Sequence, residues 1–226
     1  MAAVPPAAVT DALCTAVHRA RAAAPDLRWS APDRWHVTLA FLGQVPDERR
    51  GDLDARLARV ARRHGPIAVE TVGGGHFGDR VLWTAVRPRS VTAQPGRTAA
   101  QPGPTAAQPG RTAALSGAAA ARPGAAAAPA GALGALAAGV RRAAERAGAA
   151  AGADDRPLRA HLTLARVPDR GHRGHRGLGP LVELLRADVE PLPWTVDRLV
   201  LMRSVDGGPG AAPVYRQEAS WPLTGR

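Results

Sequence analysis

Apolar positions along the chain change period several times, and the changes cut it into short elements. Val9, Leu13, Ala16 and Val17 recur at helical spacing and predict a helix ending near Ala24. From His36 the pattern alternates: His36, Thr38 and Ala40 fall on one face of a strand, Val37, Leu39 and Phe41 on the other, as far as Gly43. Pro46, Asp47 and Glu48 then offer a fixed φ and acidic side chains for a helix start. Leu53, Leu57, Val60 and Ala61 form its apolar stripe, and Gly65-Pro66 stops it. Strands are expected over 67–72 and 81–86, joined by a glycine-rich turn at 73–78. A helix over 133–147 carries Leu133, Leu136, Val140 and Ala144 at helical spacing. A second alternating strand begins at His161, a helix covers 180–186, and strands are expected over 194–202 and 214–221.

The two alternating runs carry the same pair. His36 and Thr38 share one face of the first strand, and His161 and Thr163 share one face of the second, against Leu162 and Leu164. Each strand thus has an apolar side for a core and a side showing an imidazole and a hydroxyl. Two unrelated, half-buried strand histidines would give the same parity. The shared Leu after each Thr, the shared period and the Arg-rich flanks count against that reading.

With the strings RWHVTLAFLGQV at 34–45, RVLWTAV at 80–86, DRPLRAHLTLAR at 155–166, WTVDRLVLMRS at 194–204 and VYRQEASWPL at 214–223, these pairs resemble the 2H phosphoesterase superfamily. Within it they are similar to the RNA 2′,3′-cyclic phosphodiesterase branch, the LigT-like or 2′-5′ RNA ligase proteins. The resemblance implies an α+β fold: two pseudo-symmetric lobes of antiparallel sheet with outer helices and an active-site groove between them. Residues 1–226 would form one bilobal domain, interrupted at 91–131. It implies metal-independent hydrolysis of RNA or nucleotide 2′,3′-cyclic phosphates to 2′-phosphomonoesters, with no cofactor. His36 would be the proton donor and His161 the proton acceptor, with Thr38, Thr163 and Arg166 binding the phosphate. Simple parity sets Arg166 opposite His161, so its role requires the strand to bend or end there. Trp35 and Ala160 depart from the usual aliphatic residue and Pro at those positions. The family's opening strand is cut to Met1–Val4, and a start codon assigned too far downstream is the expected reason.

Imidazole suits both proton transfers because its ordinary pKa of about 6.5 keeps both forms within reach at neutral pH. Sibling activities remain open: 2′-5′ ligation, a small cyclic-nucleotide phosphodiesterase, or an RNA-binding module without turnover. The last has no use for two proton-transfer groups.

A net charge of +11 suits an RNA or oligonucleotide partner. All 30 basic residues are Arg, in a chain rich in Ala, Gly and Pro that holds no Lys or Asn, so GC-rich coding supplies part of that charge. The single Cys14 excludes an internal disulfide and reads as a near-core thiol. No apolar run is long enough to span a membrane, and a cytoplasmic monomer is expected.

Other candidates read as ordinary structure. HRGHRG at 172–177 is a solvated loop rather than a metal site, and Asp154 and Asp155 begin the approach to the second strand. His18 and His64 take helical positions with no special role, and His76 and Phe77 sit in a turn that could border the groove. Three near-identical heptads over 93–113, AQPGRTA, AQPGPTA and AQPGRTA, carry Pro and Gly in every unit and cannot form a coiled coil. Deleting residues 92–130 is therefore expected to leave activity and melting temperature nearly unchanged, as thermal denaturation and an activity assay of the shortened chain would show.

Overall fold

The computed structural model describes residues 1–89, 131–149, 157–168, 177–205 and 213–226. In chain order the elements are β1 (Ala2–Ala3), α1 (Ala7–Ala16), α2 (His18–Ala23), β2 (Arg28–Trp29), a 3₁₀ turn (Pro32–Arg34), β3 (Val37–Thr38) and α3 (Asp47–Arg63). There follow β4 (Ile67–Phe77), β5 (Val81–Pro88), α4 (Ala132–Arg146), β6 (His161–Arg166), α5 (Gly179–Asp188), β7 (Leu192–Val196), β8 (Arg198–Val205) and β9 (Val214–Pro222). The heptad repeats, residues 172–176 of HRGHRG, Asp154 and Asp155 lie outside the described residues.

Two antiparallel sheets form, one in the order β3-β1-β8-β9 and one in the order β2-β6-β5-β4-β7. Each covers an apolar face with helices, because an alternating strand leaves one greasy side to bury. α3 packs on β9 and against α4, while α1 packs on β7, α5 on β4, and α2 on α5. The core is built mainly from leucine: Leu53 and Leu57 of α3, Leu136 of α4, and Leu82, Leu162, Leu164 and Leu185 of the five-stranded lobe are all sealed from solvent. This is the α+β, two-lobed fold expected, but the lobes are not successive halves of the chain. β1, β3, β8 and β9 make one lobe, with β2 and β4 to β7 making the other.

Several elements differ from their sequence reading. The first helix bends at Val17, whose ψ opens to −1° while its side chain stays buried. The strand expected over 194–202 is two strands: β7 pairs with β4, and after Asp197 β8 pairs with β1 and β9. Alternation continues through the crossing because both partners want a buried face, so period alone cannot report a change of sheet.

The third difference is the glycine run. β4 passes straight through 73–77, and the turn to β5 takes only residues 78–80. Gly73 has φ of 57°, and the register with β5 shifts between Val72 and Gly75, so the run is a bulged strand. A Cβ on Gly74 would lie 2.5 Å from Leu185 of α5, and one on Gly75 would lie 2.3 Å from the Trp83 ring. The strand is bare there because a helix presses on one residue and an indole on the next.

Gly75→Ala is therefore expected to lower stability by about 1–3 kcal/mol through overpacking. Gly51→Ala, within α3 and with nothing near its Cβ, is expected to raise it by about 1 kcal/mol. Urea denaturation of both variants checks the opposite signs.

Candidate active site

β6 pairs with β5 so that Ala85 faces His161, Thr84 faces Leu162 and Trp83 faces Thr163. Leu82 then meets Ala165, and Val81 meets Arg166. One step on β5 is matched by two on β6, so Leu164 is an extra residue in the ladder. Cross-strand partners share a face, and Val81, Trp83 and Ala85 alternate without interruption. Arg166 is thereby returned to the face that carries His161 and Thr163. The parity objection to Arg166 is answered by the bulge, and Leu162, Leu164 and Ala165 all stay buried on the way.

The same register argument brings other side chains to this face. Phe77 pairs with Val81, Gly75 with Trp83, and Arg28 of β2 with Arg166. Phe77 meets the His161 ring edge-on at 4.9 Å between centroids, and Trp83 lies 6.1 Å from it. Phe77 thus lies on the face of His161, while His76 faces the other way and its Nδ1 donates to the Gly78 carbonyl at 2.6 Å.

In the other sheet Thr38 pairs with Ala2, Ala2 with Val200, and Ser204 with Tyr215, which places Tyr215 on the face of Thr38 and His36. Its ring stands T-shaped against His36 at 4.9 Å. Val37 and Leu39 are buried as alternation requires, but Phe41 is 74% exposed. The ladder of β3 ends at Thr38, and the Leu39 and Ala40 amides bond instead to the Met1 carbonyl, so parity no longer governs Phe41. The Met1 ammonium donates to the Ala40 carbonyl at 2.7 Å, and burial pushes its pKa down to about 6.

The two histidines are held alike. His36 Nδ1 lies 2.8 Å from the Arg34 carbonyl, and His161 Nδ1 lies 2.6 Å from the Arg159 carbonyl. A carbonyl oxygen can only accept, so each Nδ1 carries the hydrogen and each neutral ring keeps its lone pair on Nε2. Burial pushes both imidazoles below their ordinary pKa. For His36 the Met1 ammonium and His161 add to the shift, and for His161 the Arg166 charge does, while the anchoring carbonyls oppose it. β3 and β6 touch where the sheets meet, which is why one imidazole senses the other.

Beside His36 and Thr38 opens a cavity of about 560 Å³, walled also by Phe41, Arg50, Tyr215 and Glu218. Glu218 is the extra residue of a bulge in β9, between Gln217 and Ala219. Arg50 binds it at 2.6 Å, and Arg203 lies 3.5 Å away. These arginine contacts, that of Arg50 foremost, hold the Glu218 carboxylate below its usual range. Among the described residues no three of His, Cys, Asp and Glu converge as a metal site would need. No helix among them is long and apolar enough to cross a membrane.

Sequence reasoning missed Trp83, Tyr215, Arg28 and the Arg50–Glu218 pair. The alternation of β5 already set Trp83 with Val81 and Ala85, but nothing local named the neighbouring strand.

The LigT like Phosphoesterase family model matches residues 4–83, which include His36 and Thr38. The RNA 2′,3′-cyclic phosphodiesterase of Geobacillus stearothermophilus is 34% identical over 67 residues, 28% of this chain and 21% of that protein's length. The crystal structure of TT0787 of Thermus thermophilus superposes with a TM-score of 0.62 at 23% identity, covering 99% of this chain and 96% of that one. E. coli LigT complexed with 3′-AMP gives 0.58 at 21% identity, covering 99% and 95%. The family match thus covers about the first third of the chain, and the likeness over its whole length is one of fold. The two lobes of its fold are those of these structural neighbours.

The depressed imidazoles have a measurable sign. Above pH 6.5 both are neutral folded or unfolded; below it the unfolded chain takes protons that the folded one resists, so stability falls as pH drops. NMR titration is expected to place His36 and His161 below 6.5, and in urea denaturation at pH 7 and 5.5 the His36→Gln/His161→Gln variant should lose less stability than the parent.

Proposed function

We propose that this protein is a phosphoesterase that opens terminal 2′,3′-cyclic phosphates of RNA or nucleotides to 2′-phosphomonoesters, without a metal. His161 takes a proton from water as its oxygen attacks phosphorus, the P–O3′ bond breaks, and His36 gives its proton to the departing 3′ oxygen. Thr38 and Thr163 donate to the non-bridging oxygens, and Arg166 balances their charge.

The observation that carries this reading is the matched pair of imidazoles, each with Nδ1 on the carbonyl two residues back and a Thr on its own face. A neutral ring with its lone pair on Nε2 is ready to act as base, and the same nitrogen once protonated is the acid. Which ring is the base follows the family resemblance, since both imidazoles are held below their ordinary pKa by burial and neighbouring positive charge. General acid and base each contribute about 10²–10⁴-fold, and a preorganised donor to the phosphoryl oxygens on the order of 3 kcal/mol. The reading agrees with the activity named for the Geobacillus relative.

The test is an oligoribonucleotide ending in 2′,3′-cyclic phosphate, incubated with EDTA, and its product identified. Turnover to a 2′-phosphate is expected; loss under chelation contradicts the mechanism, and a 3′-phosphate product reverses the leaving oxygen. His36→Ala and His161→Ala should each lose about 10²–10⁴-fold in kcat while still binding RNA. A fully active His161→Ala protein ends the proposal. Because His36 must be protonated and its pKa lies below 6.5, kcat/KM should form a bell that declines as pH rises through neutrality.

A further inference from the structure

Away from the groove, α3 and α4 enclose a second cleft of about 180 Å³ whose polar lining is Arg56, Arg59, Arg63 and His64 from one side and Arg142 and Arg146 from the other. No carboxylate lines it. Arg56 is paired with Asp52 at 2.8 Å, and Arg59 reaches the Ala55 carbonyl. Among the described residues, Arg59, Arg63, Arg142 and Arg146 make no ion pair with a carboxylate, and all four are exposed.

The close approach of the helices is specific. A Cβ on Gly139 would lie 3.2 Å from Val60 and 3.6 Å from His64 Nε2, so the missing side chain lets α4 settle onto α3 and brings the two arginine rows to facing rims. His64 is held below its ordinary pKa by burial and then by the Arg142 charge, a local sign that the cleft is electropositive. Converging guanidiniums repel one another, and an anion between them removes that cost.

We propose that this cleft holds the phosphodiester backbone of the RNA whose end occupies the groove, an inference that rests on the function proposed above. Arg56, Arg59 and Arg63 recur at one-turn spacing along α3, with Arg142 and Arg146 one turn apart opposite them. Two parallel rows fit successive phosphates better than a single one, and guanidiniums of this kind read backbone rather than sequence. α3 also joins the two sites. Its first turn gives Asp47 and Arg50 to the cavity beside His36, and Arg63 lies thirteen residues further on, about 20 Å along the helix axis. A membrane surface fits poorly, because the exposed large apolar residues among those described are Val4, Phe41 and Val214, none of them in this cleft.

The experiment measures binding by fluorescence anisotropy, using labelled oligouridylate of about twelve nucleotides and labelled uridylyl-uridine. Both probes end in plain 3′-hydroxyls, so a failure of the cyclic-phosphate reaction does not touch the outcome. Arg63→Glu/Arg142→Glu is expected to weaken the long probe by about tenfold or more. The slope of its log affinity against log salt should flatten by about 0.7 for each phosphate no longer neutralised. The dinucleotide should change less than about twofold, as should the long probe with Arg62→Glu, which alters charge on α3 outside the cleft. Arg63→Lys/Arg142→Lys should keep most of the affinity, separating charge from folding. Equal weakening by Arg62→Glu, equal weakening of the dinucleotide, or loss of binding to anionic vesicles with the long probe unaffected would overturn the proposal.

Discussion

A strand residue can face only one of two ways, and the extra residue at Leu164 sets which way Arg166 faces. Without it His161 and Thr163 would share one face and Arg166 would point into the core, where a guanidinium has no partner and a heavy desolvation cost. With it the strand keeps Leu162, Leu164 and Ala165 buried and still delivers imidazole, hydroxyl and guanidinium to one surface. The bulges in β4 and β9 do comparable work. One lets Trp83 lie on Gly75, and the other turns Glu218 toward Arg50 and Arg203. A site assembled on regular sheets thus takes its specificity from the places where the sheets are irregular.

Holding two imidazoles between sheets has an electrostatic cost. Burial favours the neutral form of each, and either one charged makes the other harder to charge. The carbonyls of Arg34 and Arg159 pull the other way and fix each ring's orientation at the same time. In the reaction proposed above, one ring must nonetheless be protonated when substrate arrives. A phosphate anion supplies the missing counter-charge, so the protonated partner becomes favourable when the groove is occupied.

The alternating residues and the helical stripes were legible because burial imposes period 2 or 3.6 on any chain that folds this way. His36 with Thr38 and His161 with Thr163 could be paired on that ground alone. Arg166 could not, since a bulge shifts register by one residue and leaves no mark in a run as apolar as Leu162 to Ala165. Phe41 failed for the opposite reason: its alternation is perfect, but the ladder that would enforce it stops at Thr38. Tyr215 and Trp83 sit on strands that were expected, yet which strand lies beside which is a long-range fact. The glycine run read as a turn because the pressure that keeps it bare comes from Leu185 and Trp83, far along the chain or across the sheet.

The order of strands bears on how rigid the two histidines are relative to each other. The chain passes between sheets from β1 to β2, from β2 to β3, from β3 to β4 and from β7 to β8. Two lobes joined by one linker hinge freely, whereas each added crossing removes freedom. The last crossing turns on a single residue, Asp197, with Val196 and Leu199 buried on either side. β3 and β6, which carry the two motifs, also lie against each other. A spacing fixed in this way suits the proposed in-line chemistry, since a misplacement of about 1 Å costs on the order of 10²-fold in rate. The adaptable part of recognition then falls to surfaces beyond the groove, where long arginine side chains on α3 and α4 can follow a flexible backbone without disturbing the imidazoles.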